Sequence, residues 1–575
     1  MHQPHSQPRP SIYYRYQVHQ PWLPSAHRVA ATSPAGAAAH APVIIAGAGP
    51  IGLVTALELA RHGVASVVLE SELQVSEGSR AIVFTRRSME ILQQVGVAQR
   101  MLQDALPWRF GNSFYRGERV FRMEAPHDDN DRFWPMTNLQ QQYLEEYLVD
   151  AAQAQPLIDL RWGNRLVRVL QHEGGARVEV DTPEGPYELA AEWLVATDGA
   201  RSPIRSQLGL KMEGASYEGR FVIADIRIDL DLPTERLAFF DPPWNPGNTV
   251  LMHREPHGIW RIDYQLPPNE TPEQALQPEA LAERINAQLA MIGRAGTPWT
   301  MDWSSVYSAR AMTLPDYQHG RVLFAGDAAH LLPIFGVRGA NTGFQDAQNL
   351  AWKLACVNKG LASDALLRTY SSERVGASRE ICEEAGKSTR FMTPPTPGFR
   401  LLRDAVLSLS LSQEFVRPLY HWRTSRPHEY THSPLNAPVD DASVFAAGPG
   451  LGAQLHNVRF GEEDFLFDRL QAAFVLLLYT DAPALPSAIQ AVVAAWRARG
   501  VPLQVLVVRP EGAGSATPCA GADHVWHDRA GRFAQRYAVP GASAAYLARP
   551  DQHVCARWGT LAPDLLDAAL RRALA

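Results

Sequence analysis

Apolar and polar residues follow two different patterns along this chain. Continuous apolar runs at residues 43–46 and 67–69 flank a helix-forming stretch at 53–61, an order that predicts strand, helix and strand. Between residues 221 and 265 apolar and polar positions alternate instead, which is typical of antiparallel strands. The two patterns together predict an α/β protein in which a Rossmann-like unit carries an inserted antiparallel sheet.

Glycines follow the first apolar run at a spacing that indicates a nucleotide site. Gly47, Gly49 and Gly52 form the turn, and the second run ends at Glu70. In this arrangement the glycines permit a tight turn, close approach of a pyrophosphate, and close packing of helix on strand. The helix start presents free N–H groups to phosphates, and a carboxylate placed like Glu70 accepts hydrogen bonds from a ribose. We therefore predict a dinucleotide-binding unit.

Two later segments also place a strand before a turn and a helix. In the first, Asp198 and Gly199 follow a strand and Ser202 begins a helix; taken alone, an ordinary turn with a capping serine explains this segment. In the second, Gly326 and Asp327 end a buried strand, and Asp327 is placed to bind hydroxyl groups of a sugar or polyol. The helix that follows presents backbone N–H groups to an electron-rich ring edge.

Composition divides the chain into four parts. Residues 1–40 are rich in His, Pro, Gln, Ala and Ser without periodicity, so we expect a disordered leader. Residues 41–430 hold the nucleotide-binding unit and the antiparallel sheet, which lies mainly between 210 and 310. A proline-rich linker is expected at 431–450. Residues 451–575 show a β-α-β-β-β-α order, which predicts a thioredoxin-like domain without the CxxC of redox enzymes.

Charge and cysteine content argue against several classes of protein. The 575 residues carry a net charge of −6, which disfavours nucleic acid as a partner. No apolar run has the length of a membrane span. The four cysteines are widely spaced, which favours a reducing compartment and argues against disulfides and a zinc site. We expect a cytoplasmic protein without metal, nucleic-acid or membrane partners.

Three motifs carry a resemblance to a known family. They are GAGPIGL at 47–53, ATDGARSPIR at 196–205 and RVLFAGDAAH at 321–330. In this order the sequence resembles the group A flavin-dependent aromatic hydroxylases, which include para-hydroxybenzoate hydroxylase, phenol hydroxylase and 3-(3-hydroxyphenyl)propionate hydroxylase. The resemblance covers roughly residues 42–425, and parts of 546–558 resemble the thioredoxin-like extension of the phenol hydroxylase branch. It implies a para-hydroxybenzoate hydroxylase-like fold.

The resemblance implies that FAD occupies the dinucleotide-binding unit, with Gly47, Gly49 and Gly52 at the pyrophosphate and Glu70 at the adenosine ribose. The further cofactor-binding residues that it implies are Arg80, Gln141, Asp198, Gly199, Gly326, Asp327, Pro333, Gly339, Ala340 and Asn341. The family's usual second proline and Gly-Gln-Gly run are replaced here by PIFGVRGAN at 333–341. Within that stretch, Arg338 either steers an anionic substrate or faces solvent.

The activity that the resemblance implies is hydroxylation of a small, normally phenolic, aromatic substrate. NADH or NADPH reduces FAD, which reacts with O2 to give the flavin C4a-hydroperoxide that attacks the ring. Such a site must exclude water and favour the phenolate. The residue that activates the phenol stays open among Tyr217, Asp225, His253 and Tyr264. The family also implies a homodimer supported by the C-terminal domain.

Three other functions stay open from the sequence. A tailoring hydroxylase for a polyketide-like aromatic shares the architecture and differs in the size of its substrate cleft. A flavin oxidase or reductase would not insert oxygen into a product. A flavin-binding sensor or assembly protein is disfavoured, because the glycines, Glu70 and Asp327 are intact.

Overall fold

The structure of this chain is a computed structural model. It describes residues 1–27, 39–267, 269–333, 335–420, 427–438, 445, 447–511, 519–537, 539 and 543–575, without the side chains of 26, 27, 39, 217, 218, 309, 417 and 420. Among the described residues, the helices are α1 (Pro24–His27), α2 (Pro50–Arg61), α3 (Arg86–Gln94), α4 (Ala98–Asp104), α5 (Gln141–Gln153), α6 (Pro203–Gln207), α7 (Pro272–Ala275), α8 (Pro278–Met291), α9 (Gly339–Asn358), α10 (Ala365–Met392), α11 (Pro397–Ser410), α12 (Ser487–Ala498), α13 (Arg532–Arg536) and α14 (Pro563–Ala573).

The strands, in chain order, are β1 (Ala39–Ala46), β2 (Ser66–Leu69), β3 (Val83–Thr85), β4 (Leu106–Trp108), β5 (Phe110–Tyr115), β6 (Glu118–Glu124), β7 (Met136–Asn138), β8 (Ile158–Arg161), β9 (Arg165–His172), β10 (Gly175–Thr182), β11 (Gly185–Ala196), β12 (Glu213–Ile228), β13 (Arg236–Phe240), β14 (Thr249–Glu255), β15 (Ile259–Gln265), β16 (Trp299–Thr313), β17 (Gln318–His319), β18 (Val322–Phe324), β19 (His330–Leu331), β20 (Phe474–Tyr479), β21 (Leu503–Pro510), β22 (His524–Asp528), β23 (Ala544–Ala548) and β24 (Val554–Trp558).

A largely parallel sheet forms the nucleotide-binding half. Its strands lie in the order β17-β18-β11-β1-β2-β8, and β10 and β9 continue from β11 as antiparallel strands. Because β18, β11, β1 and β2 are parallel neighbours, their carboxyl ends meet at one edge. The residues just beyond these ends include Gly47, Glu70, Thr197 and Gly326. Ligands of open α/β sheets bind at this edge.

An eight-stranded second sheet has the order β19-β16-β12-β15-β14-β13-β5-β6, and only β13 and β5 are parallel among its neighbours. Strands β5 and β6, at residues 110–124, extend it beyond the predicted range of 210–310. One face buries Trp260, Ile262 and Tyr264 against α8. The opposite face turns toward the nucleotide-binding half, where Phe221 packs with side chains of α10 and α11.

The C-terminal domain has the thioredoxin arrangement. Its sheet order is β22-β21-β20-β23-β24, with β20 parallel to β21 and antiparallel to β23. Helices α12 and α14 pack together in its apolar core. Strand β22 and the short α13 are additions to the predicted order of elements. Of the predicted linker, residues 439–444 and 446 lie outside the described part, while Leu435 packs in the domain's core.

Residues 1–27 differ from the expected disordered leader. Tyr14 is buried beside α5, and the Ser11 hydroxyl donates to Asp302 of the second sheet at 2.9 Å. The backbone N–H of His19 donates to the Leu73 carbonyl at 2.7 Å. The aromatic side chains of this segment bury enough apolar area to hold it on the protein, although its average composition is polar. Residues 28–38, also within the predicted leader, lie outside the described part.

Within the described ranges, no helix combines the length and the apolar character needed to cross a membrane.

Candidate active site

The three glycines of the first turn have different surroundings. Gly47 has a φ of +102°, and a Cβ there would lie 2.7 Å from the Thr197 carbonyl oxygen. A Cβ on Gly52 would collide with the carbonyl oxygen of Gly47, so α2 packs directly on the turn. Gly49, in contrast, has no atom within 4 Å of its Cβ position. The structure therefore leaves an open cradle at Gly49, next to the helix start, where a pyrophosphate fits.

Glu70 is held against the same turn. One carboxylate oxygen accepts a hydrogen bond from the Ala48 N–H at 2.8 Å, and the other accepts one from the Glu72 N–H at 3.0 Å. Burial raises the pKa of Glu70, and these hydrogen bonds lower it. The carboxylate is half-buried with lone pairs left over, so it can accept hydrogen bonds from a ribose.

The turn after β11 contains a buried acceptor without a partner. The Asp198 Oδ2 accepts from the Ile204 N–H at 3.1 Å, whereas Oδ1 is buried and has no hydrogen bond within the described residues. Burial raises the pKa of Asp198. The Ser202 hydroxyl caps α6 by accepting from the Arg205 N–H at 3.0 Å. An ordinary capped turn explains Ser202 but leaves Asp198 Oδ1 unexplained.

Asp327 lies at this edge of the sheet, where the charges of nearby basic residues act on it. Asp327 is exposed in the turn after β18. Desolvation by the surrounding protein raises its pKa, and the charges of His330, Arg80 and Arg205 oppose that rise. Gly326 has a φ of +60°, and a Cβ there would touch Ile51 of α2 at 3.0 Å. The turn thus presents one accessible carboxylate, with two arginines near it.

A buried ionic group supports the Gly326 turn from below. Asp346 Oδ2 accepts from the Gly326 N–H at 3.0 Å and contacts Nε2 of His330 at 2.6 Å. Its Oδ1 accepts from Nε of Arg374 at 2.6 Å. Burial opposes ionisation of Asp346, but the charges of Arg374 and His330 hold its pKa below the usual range. This group fixes the backbone that carries Asp327.

The segment carrying Arg80 is held by two side chains, Arg261 and Gln141. The Arg261 guanidinium donates to the Arg80 carbonyl at 3.1 Å, and to that of Ser79. The Gln141 Oε1 accepts from the Ala81 N–H at 2.9 Å, while its Nε2 donates to Glu145 at 2.6 Å. The Gln141 side chain therefore holds the Arg80 segment in place, and the Arg80 side chain itself is exposed.

Asn341 fixes the start of α9. Its amide nitrogen donates to the carbonyls of Val83 and Val337, and its oxygen accepts from the Thr85 N–H at 2.8 Å and the Ser88 hydroxyl at 2.6 Å. Its side chain is thus fully hydrogen-bonded to protein, which leaves its backbone N–H for a ligand.

The first turn of α9 lies at the loop end. Gly339 and Ala340 are half-buried there, with open space at the Gly339 Cβ position, and Pro333 is buried where the loop begins. The first N–H groups of a helix have no partner within it. Arg338 is 5% exposed and its charge acts on Cys382 of α10, so of the two expectations for Arg338, exposure to solvent is wrong.

The loop before α9 meets the second sheet. The rings of Phe335 and Phe221 lie 5.3 Å apart between centroids, edge to face. Of the candidates for phenol activation, Asp225 and His253 lie on this face. Asp225 is fully paired with Arg261, at 2.7 and 2.8 Å. Tyr264 lies on the opposite face, in the core against α8, so it does not reach this loop.

Tyr217 has its side chain outside the described part. Three polar residues that the sequence reasoning missed also lie on the face toward the loop: Glu255, Asp263 and Tyr307. Strict alternation over 259–265 was the available signal, because it places Asp263 on the same side as Arg261 and opposite Ile262.

The residues present fit FAD. The edge offers an open cradle at Gly49, a ribose acceptor at Glu70, a partnerless buried oxygen on Asp198 and an accessible carboxylate at Asp327. The Phe335–Phe221 contact joins the loop before α9 to the second sheet.

Comparison with known proteins agrees with this geometry. The family described as "FAD binding domain" matches residues 40–385. The 3-(3-hydroxy-phenyl)propionate/3-hydroxycinnamic acid hydroxylases of Mycolicibacterium smegmatis and Escherichia coli strain K12 are each 30% identical over 368 residues. These alignments cover 64% and 63% of this chain, respectively, and 64% of each relative's length.

Solved structures match nearly the whole chain. A ternary complex of aklavinone-11 hydroxylase with FAD and aklavinone has a TM-score of 0.73 and 26% identity, covering 93% of this chain and 99% of that one. The flavin-dependent monooxygenase PieE, in complex with FAD and substrate, has a TM-score of 0.75 over the same shares at 24% identity, which shows a common fold. The predicted resemblance and fold class are confirmed. The chain belongs to the FAD binding domain family.

Proposed function

We propose that this protein is a flavin-dependent monooxygenase that uses NADH or NADPH and O2 to hydroxylate an aromatic substrate. Bound FAD would supply electron transfer from the nicotinamide and activation of O2. The chain's own residues bind the cofactor, hold the substrate ring and exclude water. The relatives named above act on phenolic acids, and the proposal extends their reaction type to this chain.

The proposed roles of the cofactor residues follow from their surroundings. Gly47, Gly49 and Gly52 form the pyrophosphate cradle, and Glu70 accepts from the adenosine ribose. The remaining residues divide into those that present a group to FAD, which are Arg80, Asp198, Gly199, Asp327, Gly339 and Ala340, and those that fix the backbone, which are Gln141, Gly326, Pro333 and Asn341.

One observation carries the assignment of an aromatic substrate. The loop that begins the α9 helix meets a sheet face at Phe335 and Phe221, and Tyr307 stacks on Phe221 at 5.9 Å between centroids. Aromatic side chains at the junction of a flavin cleft and a second sheet suit a flat apolar ligand. A larger polycyclic substrate is the second candidate, because the aklavinone hydroxylase matches 93% of this chain.

The test is oxidation of NADH and NADPH by the purified yellow protein, with hydrogen peroxide measured in parallel. The panel contains simple phenols, phenolic acids and polycyclic phenols. We expect one class to stimulate oxidation and to yield hydroxylated product with little peroxide. Oxidation that no aromatic stimulates, with all electrons recovered as peroxide, would support a flavin oxidase instead.

We also propose a homodimer, and the support lies outside the C-terminal domain. Helix α11 and the turn after it expose a row of large apolar residues, including Leu401 at 73% and Phe415 at 75% exposure. Exposed apolar patches of this kind mark interaction surfaces. Light scattering on a sizing column is expected to give twice the chain mass. Leu401→Glu should give monomer, whereas Leu102→Glu, at an isolated exposed position on α4, should not.

A cytoplasmic location is part of the proposal. All four cysteines of the chain are free thiols in the structure, which suits a reducing compartment. Fractionation of cells that express the tagged protein tests it, and recovery outside the cytoplasm would contradict it.

A further inference from the structure

The second sheet carries buried polar groups that FAD binding does not use. Cross-strand register places Asp263 in the middle of the face toward the cleft, with Ile223 beside it on β12 and Leu251 beside it on β14. One end of this row is bounded by Phe221, against which Phe335 packs. Asp263 is therefore an acidic residue among apolar neighbours, next to the loop that leads into α9.

Asp263 and its neighbours have unused hydrogen-bonding atoms. Oδ1 of Asp263 is buried without a partner among the described residues, and the residue is 6% exposed. The Tyr307 hydroxyl and Nδ1 of His253 are likewise buried and without partners in that part of the chain. Buried polar atoms are nearly always hydrogen-bonded in native proteins. Several buried polar atoms without hydrogen-bond partners on one face indicate that a ligand forms hydrogen bonds with them.

The charges on this face disfavour an anionic ligand at Asp263. Asp225 and Glu255 are also buried there, and Arg261 is shared between Asp225, Glu255 and two backbone carbonyls. Arg236 faces His253 from β13, two strands away from β15, or roughly 10 Å at the usual strand spacing. A carboxylate beside Asp263 would add a further anion to a group of three buried carboxyls.

The pKa shifts of the acidic residues on this face are consistent with this geometry. Burial raises the pKa of Asp263 to about 7, with Arg261 opposing and Asp225 adding to the rise. The pKa of Glu255 is raised well above its usual value by burial and by Asp225, with Asp263 contributing. Burial and the Asp263 charge raise the pKa of Tyr307, so its hydroxyl stays protonated.

We propose that Asp263, with Tyr307, forms a subsite that binds a hydroxyl group of the aromatic substrate, so that the substrate carries no carboxylate at this position. Asp263 accepts the hydrogen bond from the substrate hydroxyl, and Tyr307 donates one to it. This inference rests on the proposed function. It assigns a hydroxyl group, and not a carboxylate, to the part of the substrate that lies at Asp263, whereas the relatives are named for phenols that carry a propionate.

Matched ligands give the first test. Resorcinol and 3-hydroxybenzoate differ by exchange of one hydroxyl for a carboxylate, and 2,7-dihydroxynaphthalene and 7-hydroxy-2-naphthoate repeat the comparison with two rings. In the pair that stimulates NAD(P)H oxidation more strongly, we expect the neutral ligand to give at least tenfold higher kcat/KM than the carboxylate. A preference for the carboxylate member would overturn the proposal.

Asp263→Asn gives the second test, because amide and carboxylate have the same shape. Loss of a hydrogen bond to a charged group predicts a 10- to 100-fold rise in KM for the neutral ligand. Tyr307→Phe should raise KM less, about three- to tenfold, since a neutral hydrogen bond is lost. Tyr264→Phe removes a hydroxyl from the opposite face, so it is the matched control and should leave KM unchanged.

A pH profile separates substrate binding from a structural role. The charged groups that face Asp263 are Arg261 on its own strand, Asp225 on β12, and His253 and Glu255 on β14, with Tyr307 on β16. Because ionised Asp263 is the stronger hydrogen-bond acceptor, the KM of the wild type should fall as pH rises through about 7. In Asp263→Asn this dependence should vanish while FAD content is preserved. The variant should unfold at no lower urea concentration than the wild type, because the buried Asp263 carboxylate costs stability when it is ionised.

Failure of the proposed function and failure of the Asp263 assignment give different experimental results. If no aromatic stimulates the wild type, the proposed function is wrong. If aromatics stimulate it but Asp263→Asn keeps the wild-type KM and pH profile, only the assignment of Asp263 is wrong.

Discussion

Gly49→Ala probes the pyrophosphate cradle without disturbing the fold. Gly49 precedes α2 with a φ of −67° and a ψ of 176°, a conformation that alanine adopts without strain. Among the described residues, no atom other than those of its chain neighbours lies within 4 Å of the Cβ position. The new methyl group would therefore point into the space reserved for the cofactor and touch nothing else.

The expected magnitudes follow from that geometry. A glycine replaced by alanine at a compatible φ stabilises a protein by roughly 0.4–1 kcal/mol through the unfolded chain. A methyl group against the pyrophosphate would instead weaken at least one charge-assisted hydrogen bond to the backbone, which contributes about 1.5–3 kcal/mol. Since each 1.4 kcal/mol changes Kd about tenfold, FAD should bind about 10- to 100-fold more weakly.

The assay combines flavin fluorescence titration of the apoprotein with urea unfolding of the same sample. Gly52→Ala is the matched control, because its Cβ would collide with the Gly47 carbonyl oxygen. That variant should lose about 1–3 kcal/mol of unfolding free energy, the usual result of overpacking. Gly49→Ala protein that binds FAD with wild-type affinity would refute the placement of the pyrophosphate.

Two further predictions concern stability. Burial opposes ionisation of Glu373, but Arg549 and Lys353 lower its pKa to about 2, so it should contribute roughly 3 kcal/mol above pH 4.5 that is lost as pH falls toward 2. Glu373→Gln should flatten that dependence in unfolding curves measured across this range; an unchanged slope would count against the ionic group. Tyr16→Phe removes the acceptor of the Gly78 N–H, 3.0 Å away, and should cost about 1 kcal/mol in urea unfolding. If Tyr16→Phe leaves the free energy of unfolding unchanged, this hydrogen bond does not contribute to the stability of the N-terminal segment.

The turn chemistry was readable from the sequence because it is local. Gly47, Gly49 and Glu70 lie within one strand–helix–strand unit, where spacing alone sets which groups meet. The parallel order of β18, β11 and β1 then brings Asp198 and Asp327 to the same edge. An acidic residue that directly follows one of these parallel strands therefore lies at the edge where ligands bind.

The N-terminal segment could not be read in that way. Its composition is typical of disorder, yet Tyr13, Tyr14 and Tyr16 pack with Tyr143 or with one another. Three aromatic residues among prolines and glutamines leave the average hydropathy low. Tyr143 lies more than 100 residues further along the chain, so no local sequence pattern predicts the contact.

Asn341 and Gln141 show that a residue can belong to a cofactor motif without its side chain binding the cofactor. Family resemblance places both along the cofactor, but their amides are bound to protein groups 60 to 258 residues distant, at Ala81, Thr85 and Val83. Their contribution is to hold backbone in place, so substituting them should loosen the Arg80 segment and the α9 start rather than remove a contact to FAD. Asp263 is the converse case. The alternation along its strand predicts which face Asp263 occupies, but only the sheet order shows that this face lies toward the loop before α9. The sequence alone therefore does not mark Asp263 as a candidate for the subsite that we propose.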